Sequence, residues 1–461
     1  MPIIGAYALP HPPLAIPGVG RGQESGIQKT LDSFDEAAKE IAGLAPDTIV
    51  FITPHNVMYA DYFHISPGSS ATGGFARYND SKTILDARYD ELLAAEIIRL
   101  AAGEGIPAGH AGERDASLDH GVTVPMWFIN RRCNDYLTVR ISQSGMEPAA
   151  HYRLGKVISG AADSTGRRVV LIASSDLSHK LTSDGPYGYA AEGPEFDAAV
   201  ADALSGGDFL SLMNIPDSLR ERAAECGYNS LMTLAGCYDR MAVKARLLSY
   251  EGPFGVGYAI ASVAPAGADE SRRCLEQYEA AALKEAEERR QGEDEYRALA
   301  RSSLEYKVTT GGTLKMPDGL PRELLDDKAG VFVSLYKNGR LRGCIGTIAP
   351  TTAAIAQEII QNAVSAGLHD TRFDPVTADE LPHLTYKVDV LLPPEAVHGP
   401  EALDVKRYGV IVSRGNRRGL LLPNLDGVDT VEDQISIARS KAGITGDSPV
   451  TLERFEVIRH E

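Results

Sequence analysis

The chain has 461 residues, 43% hydrophobic and 24% charged, values ordinary for folded proteins that exclude disordered and fibrous classes; at roughly 150 residues per domain the length suggests two or three domains. Its 46 Lys plus Arg against 63 Asp plus Glu give a formal net charge of -17, which repels a phosphate backbone and an anionic membrane surface and argues against nucleic acid as the main partner. The 5 cysteines form no CxxC pair, so no disulfide framework is expected, and no apolar run approaches the roughly 18 residues of a membrane span.

The opening MPIIGAYALPHPP lacks the basic and apolar regions of a secretory signal, so a cytoplasmic protein is expected. Residues 2–9 read as a strand, Gln28 to Leu44 as an amphipathic helix and Thr48 to Thr53 (TIVFIT) as a buried strand. Pro67 to Gly74 reads as a surface loop, Glu91 to Glu104 as a helix, and Asp119-His120-Gly121 as a turn. Tyr136 to Ser142 and Arg168 to Ala173 (RVVLIA) are further strands. Short apolar runs alternating with helices predict an α/β domain over residues 1–268, with a largely parallel sheet flanked by helices. Gly252 to Gly257 (GPFGVG) lacks a Walker lysine and lies between strand-like segments, so it reads as a tight turn rather than a phosphate loop.

Residues 269–292 are dense in Ala, Glu and Arg and predict a solvated helical linker. A second domain, 293–461, has an α+β texture. Gly330 to Tyr336 and Leu341 to Ile348 flank Asn338-Gly339, a hairpin signal. A helix is predicted over Thr352 to Ala366, then strands near Tyr386 to Leu391 and Gly409 to Ser413.

Chemistry concentrates at the strand ends of the first half. His11, His55 and His179 each follow a predicted strand, and a parallel sheet collects such ends at one edge, where ligands bind in this architecture. Singly, each is a hydrogen-bonded loop residue; together they suggest a shared site. Two imidazoles and one carboxylate bind a divalent metal while leaving positions open. Glu225, followed by Cys226 and Gly227, is the carboxylate candidate, and His120 adds a fourth imidazole.

The ordered set HPP, TPHN, LDHG, SSDLSH, ECGYNS and YEGPFGVGYA resembles the LigB-like class III extradiol ring-cleavage dioxygenases, a superfamily that also contains the Memo family. The resemblance covers about residues 2–265 and implies one non-haem Fe(II), with zinc the alternative metal after purification. By position it implies His11, His55 and Glu225 as ligands, with Cys226 the competing third ligand as in Memo-like members. His179 matches the acid/base histidine and His120 the second active-site histidine. The implied substrates are a small catechol-type aromatic and dioxygen, and the related dioxygenases often form homo-oligomers.

In the second half, Cys344 sits within Leu341-Arg-Gly-Cys-Ile-Gly346. It reads as a packing residue, or as a nucleophile if Arg342 lowers its pKa. LRGCIG, with HDTRFDPVTADELPHLTYKVDVLLPPE, YGVIVSRGNRRGLLLP and ARSKAGI, resembles the AMMECR family over about residues 293–459. Asn424 stands where that family's usual LLPQV has glutamine. The two resemblances on one chain look like a fusion of proteins B and A of the AmmeMemoRadiSam system, which implies a radical SAM protein as partner. Two alternatives to ring cleavage therefore stay open: a metal-binding or redox protein serving that partner, and a zinc hydrolase using the same histidines.

Overall fold

The computed structural model describes residues 2–337, 339–378, 380–425, 427–445 and 449–461. It divides into two compact units, Met1–Ala280 and Ala281–Glu461, and the helix Cys274–Gln291 runs across that division.

The strands of the first unit are β1 (Ile3–Leu9), β2 (Thr48–Thr53), β3 (Phe63–His64), β4 (Ser70–Phe75), β5 (Asp80–Arg88), β6 (Ala108–Gly109), β7 (Leu137–Ser142), β8 (Val169–Ser174), β9 (Met241–Glu251) and β10 (Tyr258–Ala268). Six of them build the central sheet in the order β7-β2-β8-β1-β10-β9. β7, β2, β8 and β1 are mutually parallel, while β10 and β9 join antiparallel. The sheet is thus mixed, and helices flank it. TIVFIT and VVLIAS are buried along their whole length, as expected of strands covered on both faces. In β2, Ile49 and Phe51 enter one core with Phe34 and Phe128, and Val50 and Ile52 enter the other with Ile97 and Ile158, which is the two-residue period of a strand. The helix Gln28–Leu44 meets the helix His120–Asn130 through Phe34 and Phe128, whose rings stack 4.1 Å apart.

Register places the site. Leu9 pairs with Ser174 and Ile52 with Ala173, so β1, β2 and β8 end together. His11, His55 and Asp176 each lie two positions beyond those ends.

Two local expectations change. Within the stretch read as a loop, residues 70–74 belong to β4, which forms a hairpin with β5. Asp119-His120-Gly121, read as a turn, opens the helix His120–Asn130, which contains Pro125. Proline has no N–H for the Gly121 carbonyl one turn earlier, and the Ser174 hydroxyl donates to that carbonyl instead, at 2.6 Å.

The strands of the second unit are β11 (Val331–Lys337), β12 (Arg340–Gly346), β13 (Leu384–Leu391), β14 (Glu395–Val397), β15 (Gly409–Arg414), β16 (Arg417–Leu421), β17 (Thr451–Phe455) and β18 (Val457–His460). They form two four-stranded sheets, β12-β11-β13-β18 and β14-β17-β15-β16. Helices Glu295–Thr310 and Ile355–Leu368 cover the first sheet, and Val431–Lys441 covers the second. This is the α+β organisation. β11 and β12 pair antiparallel up to Lys337 and Arg340; Asn338 of the expected hairpin turn lies outside the described residues, and Gly339 has a positive φ of 77°, suited to glycine. Among the described residues, no helix is long and apolar enough to cross a membrane.

Candidate metal centre

His11 follows β1 within a Pro-His-Pro-Pro run and is 1% exposed. Its backbone N–H donates to Asp176 Oδ1 at 2.7 Å, and its Nδ1 lies 2.9 Å from Ser174 Oγ. Its Nε2 is 2.9 Å from His55 Nε2, 3.5 Å from Cys226 Sγ and 3.6 Å from Asp176 Oδ2. One donor atom each from His11, His55 and Cys226 falls within a mutual 4.8 Å.

Cys226 reaches this place because Gly227 lets the chain pass close to the end of β8. A Cβ on Gly227 would lie 2.6 Å from Ser175 Cα. Gln143 Nε2, just beyond β7, holds the Cys226 carbonyl at 3.0 Å. Glu225, the carboxylate expected as third ligand, is used elsewhere: its Oε2 accepts the backbone N–H of Tyr228 at 2.7 Å, at the start of the helix Tyr228–Gly236. The structure therefore sets Cys226, the competing candidate, against the two imidazoles in place of Glu225. A helix N-terminus carries unsatisfied N–H groups, and the nearby acid satisfies one of them.

His120 stacks on His55 with ring centroids 4.0 Å apart and lies 5.5 Å from His11. Asp119, next to His120, accepts the Thr53 hydroxyl at 2.6 Å and faces Arg140 Nη1 at 3.8 Å. His179 lies outside the three-donor group. Its backbone N–H donates to Ala223 O at 3.1 Å, and its ring stacks on Tyr187 at 5.1 Å.

All four imidazoles are held below their ordinary pKa. Burial lowers His11 well below it, and repulsion from His55, His120 and His179 adds to the effect. His55 falls to about 4 by burial and then by His120, and His120 to about 4 by burial and then by Arg77. Burial also lowers His179. Neutral rings at neutral pH keep a lone pair for a metal. Burial pushes Asp176 up to about 7, against the backbone N–H of His11. Burial, then Asp176 and Glu225, push the Cys226 thiol up.

His55 and His120 line one end of a cleft of about 700 Å³, whose walls come from the β4–β5 hairpin with Arg77 and Tyr78 and from residues 114–119. Fully buried Arg140 on β7 braces the second wall. It donates to Ser66 Oγ at 2.7 Å and Ser117 O at 2.6 Å, and pairs with Glu113 at 2.8 Å.

In the second unit, Cys344 on β12 contacts the Ser334 hydroxyl at 3.2 Å, and burial pushes its thiol up. Arg342 is not the cation acting on it. Nε and Nη2 of Arg342 donate to the two carboxylate oxygens of Glu380, each at 2.9 Å, and the cations that oppose the rise are Arg372 and Lys441.

Sequence reasoning missed Ser174, Asp176 and Gln143 as partners of the site. A signal existed for Asp176, which stands at the same two-residue offset from its strand as His11 and His55. For Gln143 and Ser174 the side-chain contacts have no sequence pattern of their own.

Residues 5–261 match the family described as the catalytic LigB subunit of aromatic ring-opening dioxygenase, and residues 297–460 match AMMECR1. A protein of Clostridium acetobutylicum is 42% identical over 469 residues, covering 100% of both chains. A Thermotoga maritima protein is 48% identical over 172 residues, 37% of this chain and 99% of its own length. The crystal structure of a Pyrococcus horikoshii protein aligns with a TM-score of 0.33 and 31% identity, over 36% of this chain and 88% of that one.

Proposed function

Because the chain belongs to the family of the catalytic LigB subunit of aromatic ring-opening dioxygenase, continued by an AMMECR1 region, we propose that its first unit is a metal-dependent dioxygenase-type enzyme. The substrate class is a catechol-like aromatic with dioxygen, and the metal is iron(II). The observation that carries this reading is the convergence of His11 Nε2, His55 Nε2 and Cys226 Sγ beside the cleft.

The donor set fits a divalent transition metal: two neutral imidazoles and a thiol that is a ligand once deprotonated. Bound there, the metal supplies Lewis acidity and, as iron, electrons for dioxygen. The chain's own groups supply the rest. His11 and His55 present their Nε2 atoms on one side of the site. On this reading His120, stacked on His55 and lining the cleft, donates a hydrogen bond to a substrate oxygen. In the same way His179, whose pKa burial lowers, accepts a hydroxyl proton and returns it. Tyr187 stacked on the His179 ring restricts its orientation.

The test is anaerobic purification, metal quantification, and oxygen uptake with iron(II) and a panel of catechols, comparing the wild type with His179→Ala. The reading expects a yellow ring-opened product that the substitution abolishes. Bound metal without turnover on any catechol overturns it.

A second reading is favoured by one observation, the thiol in the position where a carboxylate was expected. A thiolate ligand shifts metal preference and oxygen chemistry. On this reading the first unit is a metal-binding or redox protein working with a radical SAM partner, and the outcome of bound metal without turnover supports it.

A further inference from the structure

The hydrogen-bond chain behind His11 assigns its protons. The Ser174 hydroxyl donates to the carbonyl of Gly121 at 2.6 Å, and the same oxygen lies 2.9 Å from His11 Nδ1. A hydroxyl has one hydrogen, and a carbonyl has none. Were Ser174 to turn its hydrogen toward His11, its oxygen and the Gly121 oxygen would stand as two bare acceptors 2.6 Å apart.

The helix itself keeps the Gly121 carbonyl available. In an α-helix that carbonyl would take the N–H of the residue four positions on. In His120–Asn130 that residue is Pro125, which has no N–H. Gly121 also sits where little else fits, since a Cβ there would lie 2.3 Å from Thr53 Oγ1 and 3.2 Å from Ser174 Oγ. Pro125, Gly121 and Ser174 thus form one chain of donors and acceptors that ends on His11.

We propose that Ser174 is a positioning residue that holds His11 in the tautomer protonated at Nδ1, so that its bare Nε2 faces His55 Nε2 and Cys226 Sγ. In the metal-free chain the 2.9 Å contact between the two Nε2 atoms is then a hydrogen bond donated by His55. The same hydroxyl ties β8 to the first turn of the helix that begins with His120, so His11 and His120 share one anchor. The tautomer assignment stands on the hydrogen-bond chain alone; its consequence for a metal rests on the proposed function.

The experiment uses the full chain, metal-free and labelled with nitrogen-15 at histidine. Long-range nitrogen–proton spectra assign the protonated ring nitrogen of His11, identified by comparison with His11→Ala. Cobalt(II) affinity is measured alongside. The wild type is expected to carry its proton on Nδ1. Ser174→Ala is expected to mix the tautomers and weaken cobalt(II) binding about 10- to 100-fold, the usual effect of losing a partner behind a ligand histidine; Ser174→Thr, which keeps a hydroxyl, is expected to restore both. A wild-type His11 protonated at Nε2 overturns the proposal, as does a folded Ser174→Ala with an unchanged tautomer. Should Ser174→Ala not fold, the wild-type and Ser174→Thr spectra decide. Should the wild type bind no cobalt(II), the metal reading falls, and the ring spectra still decide this inference.

Discussion

The Nε2 atoms of His11 and His55 stand 2.9 Å apart, although 44 positions separate the two residues in the chain. Such closeness of two lone-pair-bearing nitrogens is favourable only when a proton or a cation lies between them. With Cys226 Sγ 3.5 Å from His11 Nε2, the cation reading predicts which substitutions empty the site. His11→Ala and Cys226→Ala are expected to weaken divalent-metal binding by on the order of 100-fold or more, while Glu225→Gln changes it by no more than a few-fold. Competition against a chromophoric chelator measures this, and loss of metal from Glu225→Gln alone would refute the cysteine assignment.

His120 and His179 lie beside the three-donor group rather than in it. Alanine at either position is expected to leave metal content unchanged and to lower turnover about 10²- to 10⁴-fold, the range for losing a proton-transfer group. Metal analysis and oxygen uptake on the same preparations check both halves of the expectation.

Gly121 is hemmed in by Thr53 Oγ1 and Asp119 Oδ1, 2.3 and 2.9 Å from where a Cβ would stand. Gly121→Ala is expected to cost about 1–3 kcal/mol of stability, as overpacking in a tight core does. Denaturant unfolding measures it; a midpoint equal to the wild type would show that the helix start can shift freely.

Arg140 is fully buried and pairs with Glu113, whose side chain is 16% exposed. Arg140→Met is expected to destabilise the first unit by about 3–5 kcal/mol, because the remaining carboxylate is left uncompensated. The double substitution Arg140→Met with Glu113→Gln should recover part of that loss, which a thermal-unfolding cycle can read.

The metal-free protein is expected to lose stability as pH falls from about 6.5 to 4. Six histidines, His11, His55, His64, His120, His151 and His179, have folded pKa values below their ordinary 6.5, reaching about 4 for His55, His120 and His151. In that window the unfolded chain binds protons the folded chain refuses, so acid favours unfolding. Asp176 and Asp197, raised to about 7, and Glu225, also raised, act oppositely because the folded state keeps protons that the unfolded state releases. The histidines outnumber them, and the melting temperature is expected to fall between pH 6.5 and 4.5. A flat or rising profile contradicts the burial assigned to these rings.

Much of the architecture was legible in the chain because burial on both faces writes itself as short apolar runs. TIVFIT and RVVLIA marked β2 and most of β8, and the strand ends marked His11 and His55, since a parallel sheet gathers its carboxyl ends by geometry alone. The hairpin of β4 and β5 was not legible: SATGGF has no apolar alternation, and its pairing depends on β5 and on glycines admitting close neighbours. Sequence by itself determined the buried strands of the central sheet and which residue types reach its edge. Only the tertiary structure showed which of Glu225 and Cys226 faces the two imidazoles: these adjacent side chains leave the chain in different directions, one toward the N–H of Tyr228 and the other toward His11. It alone also joined Pro125 to His11 through Gly121 and Ser174, because hydrogen bonds between distant segments depend on directions and distances in space that no spacing along the chain encodes.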